Sequence, residues 1–272
     1  MKIRTIVSFI LLPFVIVILL FTPKIVTALC LGIMCAIASH EMLHTTKLVR
    51  HPRMLLYTMF MAFLVSIWSF LGSDAVFAAV LAFVFFVMLF AEIIISGLKI
   101  SYTRACMCWV SGLILPYMLC AIVRILMQEN GRFFILIPFT IAFISDSFAY
   151  LTGVKFGKHK LSPTISPNKS IEGVLGGISV TIIGMIIYGL VLQLCFGFQV
   201  NYFFVVIYAV FGAAVGVFGD LCFSVIKRQT GIKDYGNIIP GHGGILDRFD
   251  SMILVAPFVE FLLFLMPLAT KG

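Results

Sequence analysis

The fold is decided by stretches such as residues 75–96, AVFAAVLAFVFFVMLFAEIIIS, in which one acidic residue interrupts an otherwise uncharged run. About 20 apolar residues are enough for an α-helix to cross the hydrocarbon core of a bilayer. Backbone groups in lipid must be satisfied internally, and an unbroken Leu, Ile, Phe and Val run favours a helix over a barrel strand. The stretch therefore predicts a transmembrane helix.

Similar runs recur along the whole chain. Of its 272 residues, 62% are hydrophobic and only 11% are charged, with a mean hydropathy of +1.16, whereas soluble domains carry roughly 25% charged residues. We predict an all-α, polytopic integral membrane protein in which residues 1–272 form one membrane domain. Residues 1–140 supply apolar helices, and residues 141–272 supply the helices and loops that carry the chemistry. Nine spans are predicted, at 5–21, 25–43, 54–71, 75–96, 107–127, 133–152, 173–196, 201–225 and 251–268.

The basic residues predict the orientation of these spans. With the N-terminus in the cytoplasm, 15 of the 19 Lys and Arg residues fall in inside segments, as expected from the excess of basic residues in cytoplasmic loops. The same excess accounts for the net charge of +8, so we expect no nucleic-acid partner. The two longest polar connections, 153–172 and 226–250, both fall on the cytoplasmic side, where nucleotides are found.

Charge is concentrated in the signature stretch, residues 224–250, SVIKRQTGIKDYGNIIPGHGGILDRFD. Mg²⁺ is bound by carboxylates, waters and substrate phosphates together, which suits Asp247 and Asp250. Successive N–H groups in a glycine-rich turn can form an anion-binding nest, which suits Gly243 and Gly244. The stretch therefore predicts a site for a metal and phosphates. His242 is open to three roles: general base, phosphate donor or turn stabiliser.

The eighth predicted span ends in a polar face. Gly212, Gly216 and Asp220 are spaced by four residues, and Ser224 and Arg228 continue the spacing, so all five share one side of a helix. The glycines allow a neighbouring helix to approach closely. A carboxylate at this depth is usually functional or paired, so the alternative to a metal ligand is an ion pair with Lys227 or a neighbouring Arg.

The other long cytoplasmic loop supplies further candidates. Asp146 lies near the inner end of the sixth span, and Ser170 is a candidate N-cap for the seventh. A helix N-terminus behind Lys169 is a natural phosphate site, although a Lys-rich inner loop is also expected from topology alone. Glu92 and Glu260 interrupt apolar spans; each is a candidate to pair with a cation, such as an Arg from another helix, and we interpret both as structural residues or as supports of the site.

The signature stretch resembles the C-terminal signature of the CDP-diacylglycerol synthases (phosphatidate cytidylyltransferases). The residues that match at the family's spacing are Ser224, Lys227, Arg228, Lys233, Asp234, His242, Gly243, Gly244, Asp247, Arg248 and Asp250. Residues 166–173 resemble a second, looser element, in which the family usually has a basic residue where this chain has Asn168.

The resemblance implies transfer of CMP from CTP to phosphatidic acid, giving CDP-diacylglycerol and pyrophosphate, in a multi-pass protein of the inner (cytoplasmic) membrane. It implies that Asp220 and Asp247 bind metal, and we add Asp250 and Asp146 as neighbours. Catalysis is expected from Asp220, Asp247, Lys227 and His242. Substrate binding is expected from Lys169, Ser224, Arg228, Lys233, Gly243, Gly244 and Arg248.

The expected cofactor is Mg²⁺, with a second metal site open to a monovalent cation. The expected partners are CTP, phosphatidic acid and the lipid bilayer, and a homodimer is left open.

Two other functions stay open on the sequence. A CTP-dependent polyprenol or phytol kinase would transfer the γ-phosphate and release CDP. A membrane transporter would carry its polar residues near the midplane on broken helices, whereas here they cluster towards one face and in loops. A CDP-alcohol phosphotransferase is disfavoured, because we do not find its Asp-Gly-x-x-Ala-Arg element upstream of Asp247.

Overall fold

A computed structural model describes residues 15–238 and 243–271 of the chain. Seven of its helical segments are long and apolar enough to cross a membrane, and they correspond to the second to eighth predicted spans: Lys24–Thr45, Pro52–Phe70, Ala75–Ile95, Tyr102–Met127, Gly131–Phe156, Ile171–Phe196 and Tyr202–Thr230. The prediction of an all-α, polytopic membrane protein is confirmed.

The other two predicted spans differ from these seven. The span at 5–21 lies mostly outside the described residues, and its described part, residues 15–21, is helical. The span at 251–268 is a helix of only 14 residues, Met252–Leu265, with Pro257 inside it. At 1.5 Å per residue that helix is about 21 Å long, short of the ~30 Å hydrocarbon core. The count of nine spans and the cytoplasmic N-terminus stay predictions.

We number the helices in chain order. Two of them continue into π-helical turns: Glu41–Thr45 follows α1, and Val110–Ile114 follows α4. The helices before the first hairpin are α1 Lys24–His40, α2 Pro52–Phe70, α3 Ala75–Ile95, α4 Tyr102–Trp109, α5 Leu115–Leu119, α6 Ala121–Met127, α7 Gly131–Phe134 and α8 Leu136–Phe156. Those that follow are α9 Ile171–Phe196, α10 Tyr202–Thr230, α11 Leu246–Phe249 and α12 Met252–Leu265.

Local chemistry sets several helix ends. Pro52 opens α2, where its fixed φ suits the first helical position. The Asp74 carboxylate accepts a 2.8 Å hydrogen bond from the Phe77 N–H and so caps α3, an interaction typically worth about 1 kcal/mol. Gly197 ends α9 with a left-handed φ of 71°, a conformation that glycine adopts without steric cost.

Two short antiparallel strand pairs, absent from the sequence prediction, accompany the helices; the first is a hairpin, and the second joins strands that lie far apart in the chain. Strand β1 (Lys160–Ser162) pairs with β2 (Ser166–Ser170), and β3 (Phe198–Val200) pairs with β4 (Ala269–Lys271). The first hairpin leads directly into α9. Ser170, its last residue, caps α9 by accepting a 3.2 Å hydrogen bond from the Gly173 N–H, so the predicted N-cap is confirmed.

The chain divides into two compact units. Unit 1 comprises Met1–Glu129 and Gln229–Phe249, and unit 2 comprises Asn130–Arg228 and Asp250–Gly272. The signature stretch therefore contributes to both units. The prediction of a single membrane domain stays a prediction.

Unit 1 is built on the packing of α1 against α2, with α3 and α4 joining a buried apolar cluster. The fully buried members of this cluster include Leu43, Val49, Met54, Leu89 and Cys108. Complete burial of one such aliphatic side chain contributes about 1.5–3 kcal/mol. The end of α1 is thereby fixed within the unit.

Unit 2 is built on the close packing of α8 against α9, with α12 against α8. Glycines permit this proximity: a Cβ added at Gly173 would lie 2.6 Å from the carbonyl oxygen of Ala149, and one at Gly177 would lie 2.7 Å from that of Ser145. Small residues at such contacts are typical of membrane helices.

Candidate functional site

Glycines on α10 bring two helices against the face that carries Asp220. A Cβ added at Gly212 would lie 3.0 Å from the Ile141 side chain of α8, and one at Gly216 would lie 3.1 Å from the Val255 side chain of α12. Both distances are tighter than ordinary contacts, so the prediction that these glycines admit neighbouring helices is confirmed. Asp220, one turn further along α10, consequently faces protein.

Asp220 has two polar partners within unit 2. The Lys169 ammonium lies 2.5 Å from its Oδ2, and the Ser224 hydroxyl donates a 3.2 Å hydrogen bond to its Oδ1. An ion pair at Asp220 is therefore present, but the cation observed is Lys169, whereas the sequence analysis named Lys227 or a neighbouring Arg. A predicted metal ligand and a predicted phosphate-binding cation lie side by side.

Two further carboxylates belong to the same region of unit 2. Asp250, 9% exposed, precedes α12, and its Oδ1 accepts a 2.9 Å hydrogen bond from the Ser251 N–H. Asp146 on α8 accepts a 2.8 Å hydrogen bond from the Ser251 hydroxyl. Burial raises the pKa of Asp250 to about 8; the negative charges of Asp220 and Asp146 add to this rise, and Lys227 opposes it. We call Asp146, Asp220 and Asp250 the carboxylate cluster.

The carboxylate cluster fits a divalent cation in its chemistry. Its donors are hard oxygens, which Mg²⁺ prefers, and burial, together with the negative charges of Asp220 and Asp146, raises the pKa of Asp250. A bound cation would reduce the repulsion between these carboxylates. Among the described residues, no group of three or more His, Cys, Asp or Glu side chains is already arranged to hold a metal ion, so the cluster provides ligands without a formed coordination shell.

Arg228, at the end of α10, is tied to the first hairpin. Its Nε donates a 3.1 Å hydrogen bond to the carbonyl oxygen of Ile165, between β1 and β2. Lys169 on β2 and Arg228 on α10 thus bring two predicted phosphate-binding cations to one part of unit 2. Their roles in substrate binding stay predictions, as does that of Ser224.

In unit 1, Asp247 organises the signature turn, which we define as residues 243–247. Its side chain is buried, and Oδ2 accepts hydrogen bonds from the N–H groups of Tyr235 (2.7 Å) and Gly244 (3.0 Å). Gly243 has a left-handed φ of 86°, which favours glycine. His242 lies outside the described residues. Asp247 therefore shapes this turn, and its predicted metal binding stays a prediction.

A second carboxylate, that of Glu41, holds the same turn. Glu41 is 3% exposed in the π-helical turn after α1. The Ile245 N–H donates to its Oε1 (3.1 Å) and the Leu246 N–H to its Oε2 (2.9 Å). Burying a carboxylate costs several kcal/mol, and hydrogen bonds to a charged group return about 1.5–3 kcal/mol each. The two N–H bonds therefore offset much of the free-energy cost of burying the Glu41 carboxylate.

The sequence analysis missed Glu41. The available signal was an acidic residue near the end of an otherwise apolar run, the same signal that singled out Glu92 and Glu260. It could not distinguish their roles. Glu92 lies 3.5 Å from Arg53 of α2 and 3.7 Å from His51, so its predicted pairing with a cation is confirmed. Glu41 binds backbone N–H groups.

These bonds change the interpretation of the glycine turn. The consecutive N–H groups of Gly244, Ile245 and Leu246 donate to carboxylates of the chain itself. The turn is thus an anion-binding backbone whose observed anions are Asp247 and Glu41. The predicted contacts of Gly243 and Gly244 with substrate stay predictions. So do those of Lys233 and Arg248, whose side chains are exposed in unit 1.

Comparison with known proteins agrees with this chemistry. The model of the Cytidylyltransferase family matches residues 2–266. The chain belongs to the cytidylyltransferase family. This cytidylyltransferase-family chain is 43% identical over 137 residues to a phosphatidate cytidylyltransferase of Bacillus subtilis (strain 168), covering 50% of this chain and 49% of that protein.

Two staphylococcal proteins of the same name are similarly related. The phosphatidate cytidylyltransferases of Staphylococcus epidermidis and Staphylococcus aureus (strain COL) are each 43% identical over 136 residues, covering 50% of this chain and 51% of theirs. The alignment with this cytidylyltransferase-family chain spans about half the length of the curated relatives it matches.

Proposed function

We propose that this chain transfers CMP from CTP to phosphatidic acid, giving CDP-diacylglycerol and pyrophosphate. The proposal extends to this chain the activity in the names of its relatives. It includes dependence on Mg²⁺ and a site on the cytoplasmic face of the inner membrane. A homodimer remains open.

The observation that carries the proposal is the mixed charge within unit 2. Three carboxylates, those of Asp146, Asp220 and Asp250, come from separate segments, and Lys169 and Lys227 act on two of them. Carboxylates suit a divalent cation, and ammonium groups suit phosphates. A nucleotidyl transfer between two anions needs both kinds of group. Together with the family membership, this combination favours cytidylyl transfer over transport.

The proposed chemistry is a displacement at phosphorus. A phosphate oxygen of phosphatidic acid forms a bond to the α-phosphorus of CTP, the bond from that phosphorus to the oxygen bridging the β-phosphorus breaks, and pyrophosphate leaves with the electron pair. Because the attacking phosphate is already ionised at neutral pH, no strong general base is needed, which disfavours His242 as a proton acceptor. Positioning and charge neutralisation dominate such reactions.

The residues of the chain have separate parts in this scheme. Lys169 and Lys227 neutralise phosphate charge, and Arg228 holds the hairpin that carries Lys169. Asp220, Asp250 and Asp146 would hold Mg²⁺, and Asp247 is a ligand predicted from the signature stretch. When bound, Mg²⁺ would neutralise charge on the reacting phosphates and on the leaving pyrophosphate.

The positions of the carboxylates suit a lipid substrate. Asp146 and Asp220 each lie ten residues before the last residue of their helix, or about 15 Å along its axis. In the predicted orientation both helices end on the cytoplasmic side. Phosphatidic acid, held in the bilayer by two acyl chains, would reach such a site laterally, and CTP would reach it from water.

The proposal is tested with purified protein in detergent, phosphatidic acid, Mg²⁺ and CTP labelled at either the α- or the γ-phosphate. We expect the α-label in the lipid product and the γ-label in pyrophosphate. Transfer of the γ-label to a polyprenol or phytol supplied in place of phosphatidic acid, with release of CDP, would instead identify a lipid kinase. No CTP turnover, with solute uptake into proteoliposomes, would favour the transporter.

A further inference from the structure

We propose that Glu41 is a positioning residue for the proposed reaction: its carboxylate fixes the backbone of the signature turn and, through that backbone, the carboxylate of Asp247. The inference rests on the proposed function, because the signature turn belongs to the stretch that carries it. It adds a residue outside that stretch, from the N-terminal part of the chain.

The two carboxylate oxygens of Glu41 bind adjacent residues of the signature turn. Each Glu41 oxygen accepts one N–H, from Ile245 at 3.1 Å and from Leu246 at 2.9 Å. Two bonds from adjacent residues to the two ends of one planar group fix the orientation of the backbone between them, as well as its position. The residue that follows them directly is Asp247.

Two glycines leave room for the Glu41 carboxylate beside the signature turn. A Cβ added at Gly244 would lie 2.5 Å from both Glu41 oxygens, and one at Gly236 would lie even closer to Oε1. Such distances essentially never occur for real side chains, so a Cβ at either position would displace the Glu41 carboxylate from its observed place. The carboxylate is thus enclosed by two backbone segments as well as bonded to one.

The same turn also binds the side chain of Asp247. The Gly244 N–H donates to Asp247 Oδ2 at 3.0 Å, and the next two N–H groups donate to Glu41. The two carboxylates therefore divide three consecutive donors between them. A shift of the turn that releases Glu41 must also move the donor that holds Asp247.

The experiment compares Glu41→Gln with Glu92→Gln in the full chain. Both remove a buried carboxylate from unit 1, but Glu92 pairs with Arg53 and His51 outside the turn. Glu41→Gln replaces one acceptor oxygen with an NH₂ group that faces a backbone N–H. Four quantities are measured: hydrogen exchange of the amides of residues 244–246 without substrates, kcat, the Mg²⁺ concentration for half-maximal activity, and the folded fraction.

We expect Glu41→Gln to accelerate exchange at residues 244–246 about tenfold or more, to lower kcat about 10- to 100-fold and to raise the half-maximal Mg²⁺ concentration, as for other residues that orient metal ligands. Glu92→Gln should leave all three near wild type once corrected for folded protein. Glu41→Asp, which keeps the charge, should recover part of the loss.

Two outcomes would overturn the proposal: unchanged exchange at residues 244–246, or a loss of activity that only follows the folded fraction with an unchanged Mg²⁺ dependence. Failure of the proposed function would look different. In that case the wild-type protein would form no CDP-diacylglycerol, whereas the exchange measurement needs no substrate and would still report whether Glu41 holds the turn.

Discussion

The signature turn of unit 1 and the carboxylate cluster of unit 2 give their carboxylates different kinds of partner. In the turn, Glu41 and Asp247 accept hydrogen bonds from backbone N–H groups, which are neutral and fixed in place. In the cluster, Asp220 pairs with Lys169, and Asp250 is affected by the charges of Asp220, Asp146 and Lys227. The first arrangement fixes geometry, and the second leaves a negative charge that attracts cations.

The difference teaches how one chain can combine rigidity with ion binding. Backbone donors cannot move away without unfolding the turn, so carboxylates bound to them hold the turn in place. Side-chain cations such as Lys169 can exchange one anion for another, so carboxylates paired with them remain open to a metal ion. We expect perturbations of the cluster to affect metal dependence, and perturbations of the turn to affect geometry first.

Removal of divalent cations should have the largest effect. With EDTA, formation of CDP-diacylglycerol should fall to background, because the cluster then leaves the charge of the substrates uncompensated, and added Mg²⁺ should restore it. The assay is pyrophosphate release in detergent, with EDTA preloaded with Mg²⁺ as the control. Turnover without any metal would contradict the assignment of the cluster.

Asp247→Asn should follow, with a loss of activity of about 10²- to 10³-fold or more and no loss of fold. The amide oxygen can still accept from the Tyr235 and Gly244 N–H groups, so the turn persists while the charge is lost. Product formation and the melting temperature are measured together. The matched control is Asp74→Asn, because Asn also caps a helix such as α3. Full activity of Asp247→Asn would remove Asp247 from the metal site.

Gly244→Ala tests the close fit of Glu41 against the signature turn directly. The added methyl group would lie 2.5 Å from both Glu41 oxygens, so we expect a destabilisation of about 1–3 kcal/mol and a lower kcat. Denaturant or thermal unfolding in detergent measures the first effect. Gly189→Ala in α9 is the control, since its Cβ would meet only side-chain atoms at 3.2 Å or more. Equal stability of the two variants would refute the close fit around Glu41.

Ser170→Ala should have the smallest effect. It removes the hydroxyl that accepts the Gly173 N–H at the start of α9, which should lower stability by about 0.5–2 kcal/mol and change kcat little. Ser179→Ala is the control in the same helix, because the Ser179 hydroxyl only donates to the Leu175 carbonyl. A similar melting temperature for both variants would show that the cap is not needed.

The extent of sequence prediction can be judged from particular elements. Seven spans, the glycine face of α10 and the Ser170 cap were predicted because each depends on local periodicity or local hydrogen bonding. The hairpin and the β3–β4 strand pair were not predicted, since strands of three to five residues carry too little pattern to be recognised. The short helix α12 was predicted too long, because residues 266–268 remain apolar after the helix ends at Leu265.

In the candidate site, too, residue types were predicted from the sequence and long-range contacts were not. The acidic and basic residues of the signature stretch were identified from the sequence, and so was Asp146. The partner of Asp220 was not, because Lys169 lies 51 positions earlier in the chain. Glu41 was missed altogether, since its partners lie 204 and 205 residues away.

The sequence by itself determined that this protein is a helical membrane protein, which segments are long and apolar enough to cross a bilayer, and to which family the chain belongs. These properties follow from transfer of apolar side chains into lipid and from residue types at fixed spacing, and both act locally along the chain. Only the tertiary structure decided which donor meets each carboxylate: backbone N–H groups for Glu41 and Asp247, Lys169 for Asp220. A buried charge takes whatever partner packing brings within hydrogen-bonding distance, and packing joins residues that lie far apart in the sequence.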